Sequence, residues 1–143
     1  MTAVRSPRGI LDTSTVILLE RLADATALPE EALITTITLA ELSVGPLIAG
    51  DDRDRAVRQA RLQQAEADFS PLPFDADAAR AFGRVAGSLR RAGPKVQART
   101  YDAMIAAIAL ATALPLYTVN PQDFAGVDGL DVHAIAHPDA GLA

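Results

Sequence analysis

Arg8-Gly9-Ile10-Leu11-Asp12-Thr13-Ser14 is the stretch from which the fold can be read. Its first four residues suit a short strand, and Thr13-Ser14 can open a helix. Asp12 stands at the corner between them. Three further acids occupy comparable corners. They are Glu41 in Thr38-Leu39-Ala40-Glu41-Leu42, Asp102 in Arg99-Thr100-Tyr101-Asp102-Ala103, and Asp123 in Thr118-Val119-Asn120-Pro121-Gln122-Asp123-Phe124.

Working outward, strands are expected over residues 8–11, 33–37, 116–119 and 132–136. Residues 70–74 carry two prolines and allow only an edge strand or an extended link. Helical patterning covers residues 14–23, 39–49, 51–68, 75–92 and 100–113. Strands alternating with helices argue for an α/β fold, with a parallel central sheet of four to five strands and helices on both faces. With 143 residues the chain is the size of a single domain. Its core is expected over residues 9–135, with residues 137–143 as a flexible tail.

Half of the residues are hydrophobic and only 4% aromatic, so the core must be built mainly from Ala, Leu, Ile and Val. The absence of cysteine excludes disulfides, zinc–thiolate sites and thiol catalysis. No apolar stretch of signal-peptide length opens the chain. The longest apolar run, residues 103–113, falls short of the roughly 20 residues a membrane span needs. A soluble, cytoplasmic protein without membrane contact is the expectation. The formal net charge of −5 counts against a nucleic-acid-coating role, which calls for a basic surface. It counts less against a nuclease, because bound cations offset part of it.

Each acid has an ordinary structural reading beside a chemical one. Asp12 can cap the following helix. Thr38-x-x-Glu41 matches a capping box, with Thr38 as the cap and Glu41 reaching back to its amide. Asp102 can interact with the dipole of the most apolar helix. Asn120-Pro121 is a turn signal, and Asp123 can cap a short helical turn. What favours chemistry is their shared placement. A parallel sheet brings such corners to one edge, where ligands bind. Carboxylates crowded there repel one another unless a cation lies between them. Oxygen donors of this kind suit magnesium or manganese, and the chemistry expected is metal-assisted phosphodiester hydrolysis.

The ordered set Ile10-Leu11-Asp12-Thr13-Ser14, Thr38-x-x-Glu41-Leu42, Asp102-Ala103-Met104-Ile105-Ala106-Ala107 and Tyr117-Thr118-x-Asn120-x-x-Asp123-Phe124 resembles the PIN-domain nucleases. It is most similar to the VapC-type toxins of type II toxin–antitoxin pairs, from about residue 9 to residue 135. The resemblance implies an endoribonuclease dependent on Mg2+ or Mn2+. Asp12, Glu41 and Asp102 match the first three acidic ligands, and the fourth falls on Asn120 or Asp123. It further implies a homodimer, held inactive by a VapB-type antitoxin whose carboxy-terminal segment covers the active site.

On this reading Asp12, Glu41, Asp102 and Asp123 are the candidate catalytic residues, with Asn120 a further metal ligand. Ser14 and Thr118 would hydrogen-bond to the ligands. Arg84, Arg90, Arg91, Lys95 and Arg99 are candidates for RNA phosphate contacts; a solvated basic face is the alternative. Two other functions compete. A haloacid-dehalogenase-like phosphohydrolase would use Asp12 as nucleophile, but it normally carries a second Asp where this chain has Ser14. A non-catalytic PIN-like binding module would retain the acids as caps alone.

Overall fold

The computed structural model describes residues 7–94 and 99–140. Four strands form one sheet: β1 (Arg8–Leu11), β2 (Glu31–Leu33), β3 (Leu116–Thr118) and β4 (Val132–Ala134). Their order is β2-β1-β3-β4, and every neighbouring pair is parallel. Five helices accompany them: α1 (Thr13–Leu18), α2 (Thr36–Val44), α3 (Asp52–Asp68), α4 (Ala76–Ala92) and α5 (Thr100–Thr112). The α/β architecture with a four-stranded parallel sheet agrees with the sequence reading. The Pro-flanked segment around Leu72 contributes only a parallel bridge to Thr35, held by the Thr36 and Leu72 amides, each 2.9 Å from its carbonyl. Prolines at 71 and 73 leave Leu72 as the one residue there with an amide to donate.

Successive strand side chains point to opposite faces, and β1 divides the core accordingly. Ile10 joins Leu116, Phe124 and the inward residues of α4 and α5 in one apolar cluster. Leu11 joins Tyr117, Val16 of α1, Leu42 of α2 and Ala65 of α3 in the other. Helix α5 can lie directly on the sheet because residues 105–109 are Ile and Ala and all are buried. Gly93, at φ 90°, ends α4, and Ala113, at φ 55°, ends α5.

Two local expectations are corrected. The second strand ends at Leu33, and α2 begins at Thr36, so the β-rich run 33–37 is divided between strand and helix. Thr35 is the cap, its hydroxyl accepting from the Thr38 amide at 3.2 Å. The capping box anchored on Thr38 is therefore absent. Thr38 lies inside the helix and is completely buried.

Candidate active site

Strand β1 is the switch point of the sheet, with β2 on one side and β3 on the other. In open α/β sheets ligands bind beside such a point, at the carboxyl ends of the strands. Asp12 follows β1 directly and is 2% exposed. It does cap α1, but it does more than that. Oδ1 accepts from the Thr15 amide (3.3 Å) and from the Thr15 hydroxyl. Oδ2 accepts from Ser14 Oγ (3.0 Å) and from Thr118 Oγ1 at the end of β3 (2.8 Å). Those hydroxyls are themselves fixed from β3 outward. Thr15 Oγ1 accepts from the Val119 amide (3.1 Å), Thr118 Oγ1 from the Asn120 amide (2.9 Å), and Ser14 Oγ from Asn120 Nδ2 (3.1 Å). Burial raises the Asp12 pKa, and the hydroxyls of Thr15, Thr118 and Ser14 oppose that rise.

Glu41 sits on α2, where Oε1 accepts from Thr13 Oγ1 at 2.7 Å. Burial raises its pKa, and the Thr13 bond opposes the rise. The Asp12 charge adds to it, while Arg99 favours the ionised form. Asp102 stands in the first turn of α5. Burial first and the Asp123 charge second push its pKa up to about 6, with Asp12 and Glu41 adding to the effect. The fold thus brings Asp102 within electrostatic reach of Asp12, Glu41 and Asp123, and Glu41 within reach of Asp12, from four separate segments. Among the described residues, no three acidic or histidine side chains are arranged to hold one ion as they stand. Asp12 is engaged through both carboxylate oxygens, and Glu41 through Oε1 by Thr13.

Asn120 donates to Ser14. Of the charges acting on Asp102, that of Asp123 is the largest. Thr13 and Thr15 are the site residues that sequence reasoning passed over. The available signal was three consecutive hydroxyl residues after Asp12, with Thr15 at the third position beyond the cap, where side chains and amides meet.

Of the basic candidates, Arg99 precedes α5 and acts on Glu41. Arg90 and Arg91 lie in the last turn of α4. Arg91 pairs with Asp128 at 3.2 Å and, with Arg84, lines a groove against Leu110 and Gly129. Lys95 lies outside the described residues. Next to Glu41, a groove of about 480 Å³ runs between α1, α2 and α3, lined by Thr13, Ile17, Val44, Ile48, Arg58 and Arg61 among others. No helix among the described residues is long and apolar enough to cross a membrane.

Comparison with known proteins follows this geometry. The PIN domain family matches residues 10–130. Ribonuclease VapC5 of Mycobacterium tuberculosis is 43% identical over 123 residues, covering 85% of this chain and 88% of that protein. Ribonuclease VapC1 of Rickettsia felis is 29% identical, covering 91% and 98% respectively. Among solved structures, VapBC-5 from Mycobacterium tuberculosis, a member of the VapBC family of toxin–antitoxin systems, superposes with a TM-score of 0.75. It is 39% identical, covering 90% of this chain and 98% of that one.

Proposed function

The chain belongs to the PIN-domain family, and on that premise we propose that it is a divalent-metal-dependent endoribonuclease, the toxin of a toxin–antitoxin pair. The observation that carries this reading is Asp102 at one sheet edge with the charges of Asp12, Glu41 and Asp123 all acting on it. Stability alone gives no reason to gather them. Asp12, Glu41 and Asp102 are each partly desolvated, and among the described residues Arg99 is the one cation that acts on these three. The donors are all oxygens, which fits Mg2+ or Mn2+. Asp12, Asp102 and Asp123 would hold the cation. A bound divalent ion neutralises phosphate charge and lowers the pKa of its water.

The chain's own residues do the rest. Ser14, Thr15 and Thr118 hold Asp12 in one orientation and help keep it ionised despite its burial. Glu41 keeps Oε2 clear of hydrogen bonds among the described residues, so it can orient an attacking water. Arg99, close enough to act on Glu41, is suited to a substrate phosphate. The neighbouring groove suits an antitoxin segment. It presents the exposed apolar side chains Ile17, Val44 and Ile48 beside Arg58 and Arg61. A solvent-facing apolar patch of this kind marks an interaction site.

The test is cleavage of RNA in Mg2+ or Mn2+ by the wild-type protein, Asp12→Ala and Asp102→Asn. Cleavage by the wild type and loss in both variants is expected. Undiminished cleavage in the variants refutes the site.

A further inference from the structure

The capping reading of Thr38 fails, yet its buried hydroxyl has a partner. Thr38 Oγ1 lies 2.9 Å from Thr13 Oγ1, which lies 2.7 Å from Glu41 Oε1. An ionised carboxylate has no proton to give, and a threonine hydroxyl has one. Thr13 gives its proton to Glu41, so the proton between the two threonines comes from Thr38. The direction is thereby set: Thr38 donates to Thr13, and Thr13 donates to Glu41. Hydroxyls donating in series strengthen one another.

Thr38 cannot drift. It is completely buried, and its amide is held by the Thr35 hydroxyl. Thr13 is anchored by being the residue next to Asp12, at the start of α1. The relay therefore ties Glu41 to two helix starts at once. It occupies Oε1 and leaves Oε2 unbonded among the described residues.

We propose that Thr13 and Thr38 are positioning residues, a two-hydroxyl relay that orients Glu41 so that one carboxylate oxygen remains available to the cation or its water. The inference rests on the metal-dependent nuclease reading. Its physical advantage is that the freedom of a long Glu side chain is given up on folding, and not when the cation and RNA arrive.

Thr13→Val removes the hydroxyl and keeps the shape, Thr13→Ser restores it, and Thr38→Val removes the donor behind it. Two measurements are made on each protein: Mn2+ affinity by titration calorimetry without RNA, and the kcat and KM of RNA cleavage. Thermal unfolding controls for folding. Thr13→Val should lower kcat about tenfold, the effect expected for losing a hydrogen bond to a charged group, and weaken Mn2+ binding several-fold. At saturating Mn2+ its KM for RNA should stay within about twofold, since the loaded site then presents the same charge to the RNA. Thr38→Val should lose about threefold in kcat, because the bond to Glu41 survives but is weakened. Thr13→Ser should recover most of both losses. Wild-type kcat and Mn2+ affinity in Thr13→Val overturn the proposal, even if its melting temperature falls. Absence of Mn2+ binding and cleavage in the wild type removes the nuclease reading itself, a different and recognisable failure.

Discussion

Asp12 and Asp102 belong to one site but differ in what surrounds them, and their variants should differ accordingly. Asp102 has its pKa raised to about 6 by burial and by the neighbouring negative charges. A carboxyl with a raised folded-state pKa binds protons more tightly in the folded state. Its contribution is fully present below the unfolded pKa near 4 and is lost as pH rises through about 6. At neutral pH the charged group is thus a liability in the metal-free protein. Asp102→Asn should abolish cleavage and yet stabilise that protein at pH 7.5, by about 1 kcal/mol once solvent screening of a half-buried group is allowed for. The gain should vanish at pH 4, and thermal unfolding in EDTA at both pH values checks this. A lower melting temperature for Asp102→Asn at pH 7.5 would sink the crowding argument. Asp12 is also raised by burial, but its hydrogen bonds set it apart. Its two oxygens satisfy four donors, among them the buried hydroxyls of Thr15 and Thr118. Asp12→Ala leaves those donors unmatched and should cost about 2–3 kcal/mol along with all cleavage. Denaturant unfolding of the metal-free variant measures that cost.

The elements that hold these side chains were legible in the sequence to different degrees. Helices α3 and α4 were readable because each has a clear start or stop: Asp51 and Asp75 accept from the amides of Asp54 and Ala78, and Gly93 closes α4; α5 was readable from its apolar run alone. The boundary between β2 and α2 was not. Residues 33–38 read Leu-Ile-Thr-Thr-Ile-Thr, a run in which every residue favours a strand locally. Three threonines there offer three possible caps, and only tertiary packing selects Thr35, which Leu72 pairs from outside the helix. The approach of Asp102 to Asp12, Glu41 and Asp123 was readable, because a parallel sheet brings such corners to one edge. The hydroxyl network was not, since it depends on which threonines become buried. Two substitutions test the element scale. Thr35→Ala should destabilise the protein by about 1–2 kcal/mol through loss of the α2 cap, measured by chemical denaturation; no loss would mean that Thr35 does not set the start of α2. Gly9 lies in β1 against the Tyr117 ring, where an added Cβ would meet Cε1 at 2.6 Å. That ring is stacked on His133 with centroids 4.5 Å apart and has little room to yield. Gly9→Ala should therefore cost about 1–3 kcal/mol by overpacking. A wild-type melting temperature for that variant would show that the β1–β3 spacing is looser than described.

On the scale of the whole molecule, the acidic charge poses the problem that the site must solve. The chain carries a formal charge of −5, and RNA, the substrate proposed for it, is a polyanion. Many of its arginines are already engaged by acids: Arg8 with Glu31, Arg21 with Asp139, Arg55 with Asp52, Arg58 with Asp54, Arg80 with Asp77 and Arg91 with Asp128. The edge that RNA would approach gathers carboxylates around Asp102. Nucleic-acid affinity is dominated by neutralisation of phosphates, and here acids outnumber bases 18 to 13 and, among the described residues, six of those bases are already paired. Divalent ions should therefore be needed for RNA to associate at all, and not only for the bond to break. Ca2+ fills oxygen sites, and if it supports slow or no cleavage it can separate the two requirements. Fluorescence anisotropy of a labelled RNA should show binding in Ca2+ that weakens at least about tenfold in EDTA at constant ionic strength. Asp102→Asn, with one charge fewer at the edge, should lose less of its affinity in EDTA than the wild type does. Equal RNA affinity with and without divalent ions would mean that RNA is held by a basic surface elsewhere, and that the acidic edge acts only after binding.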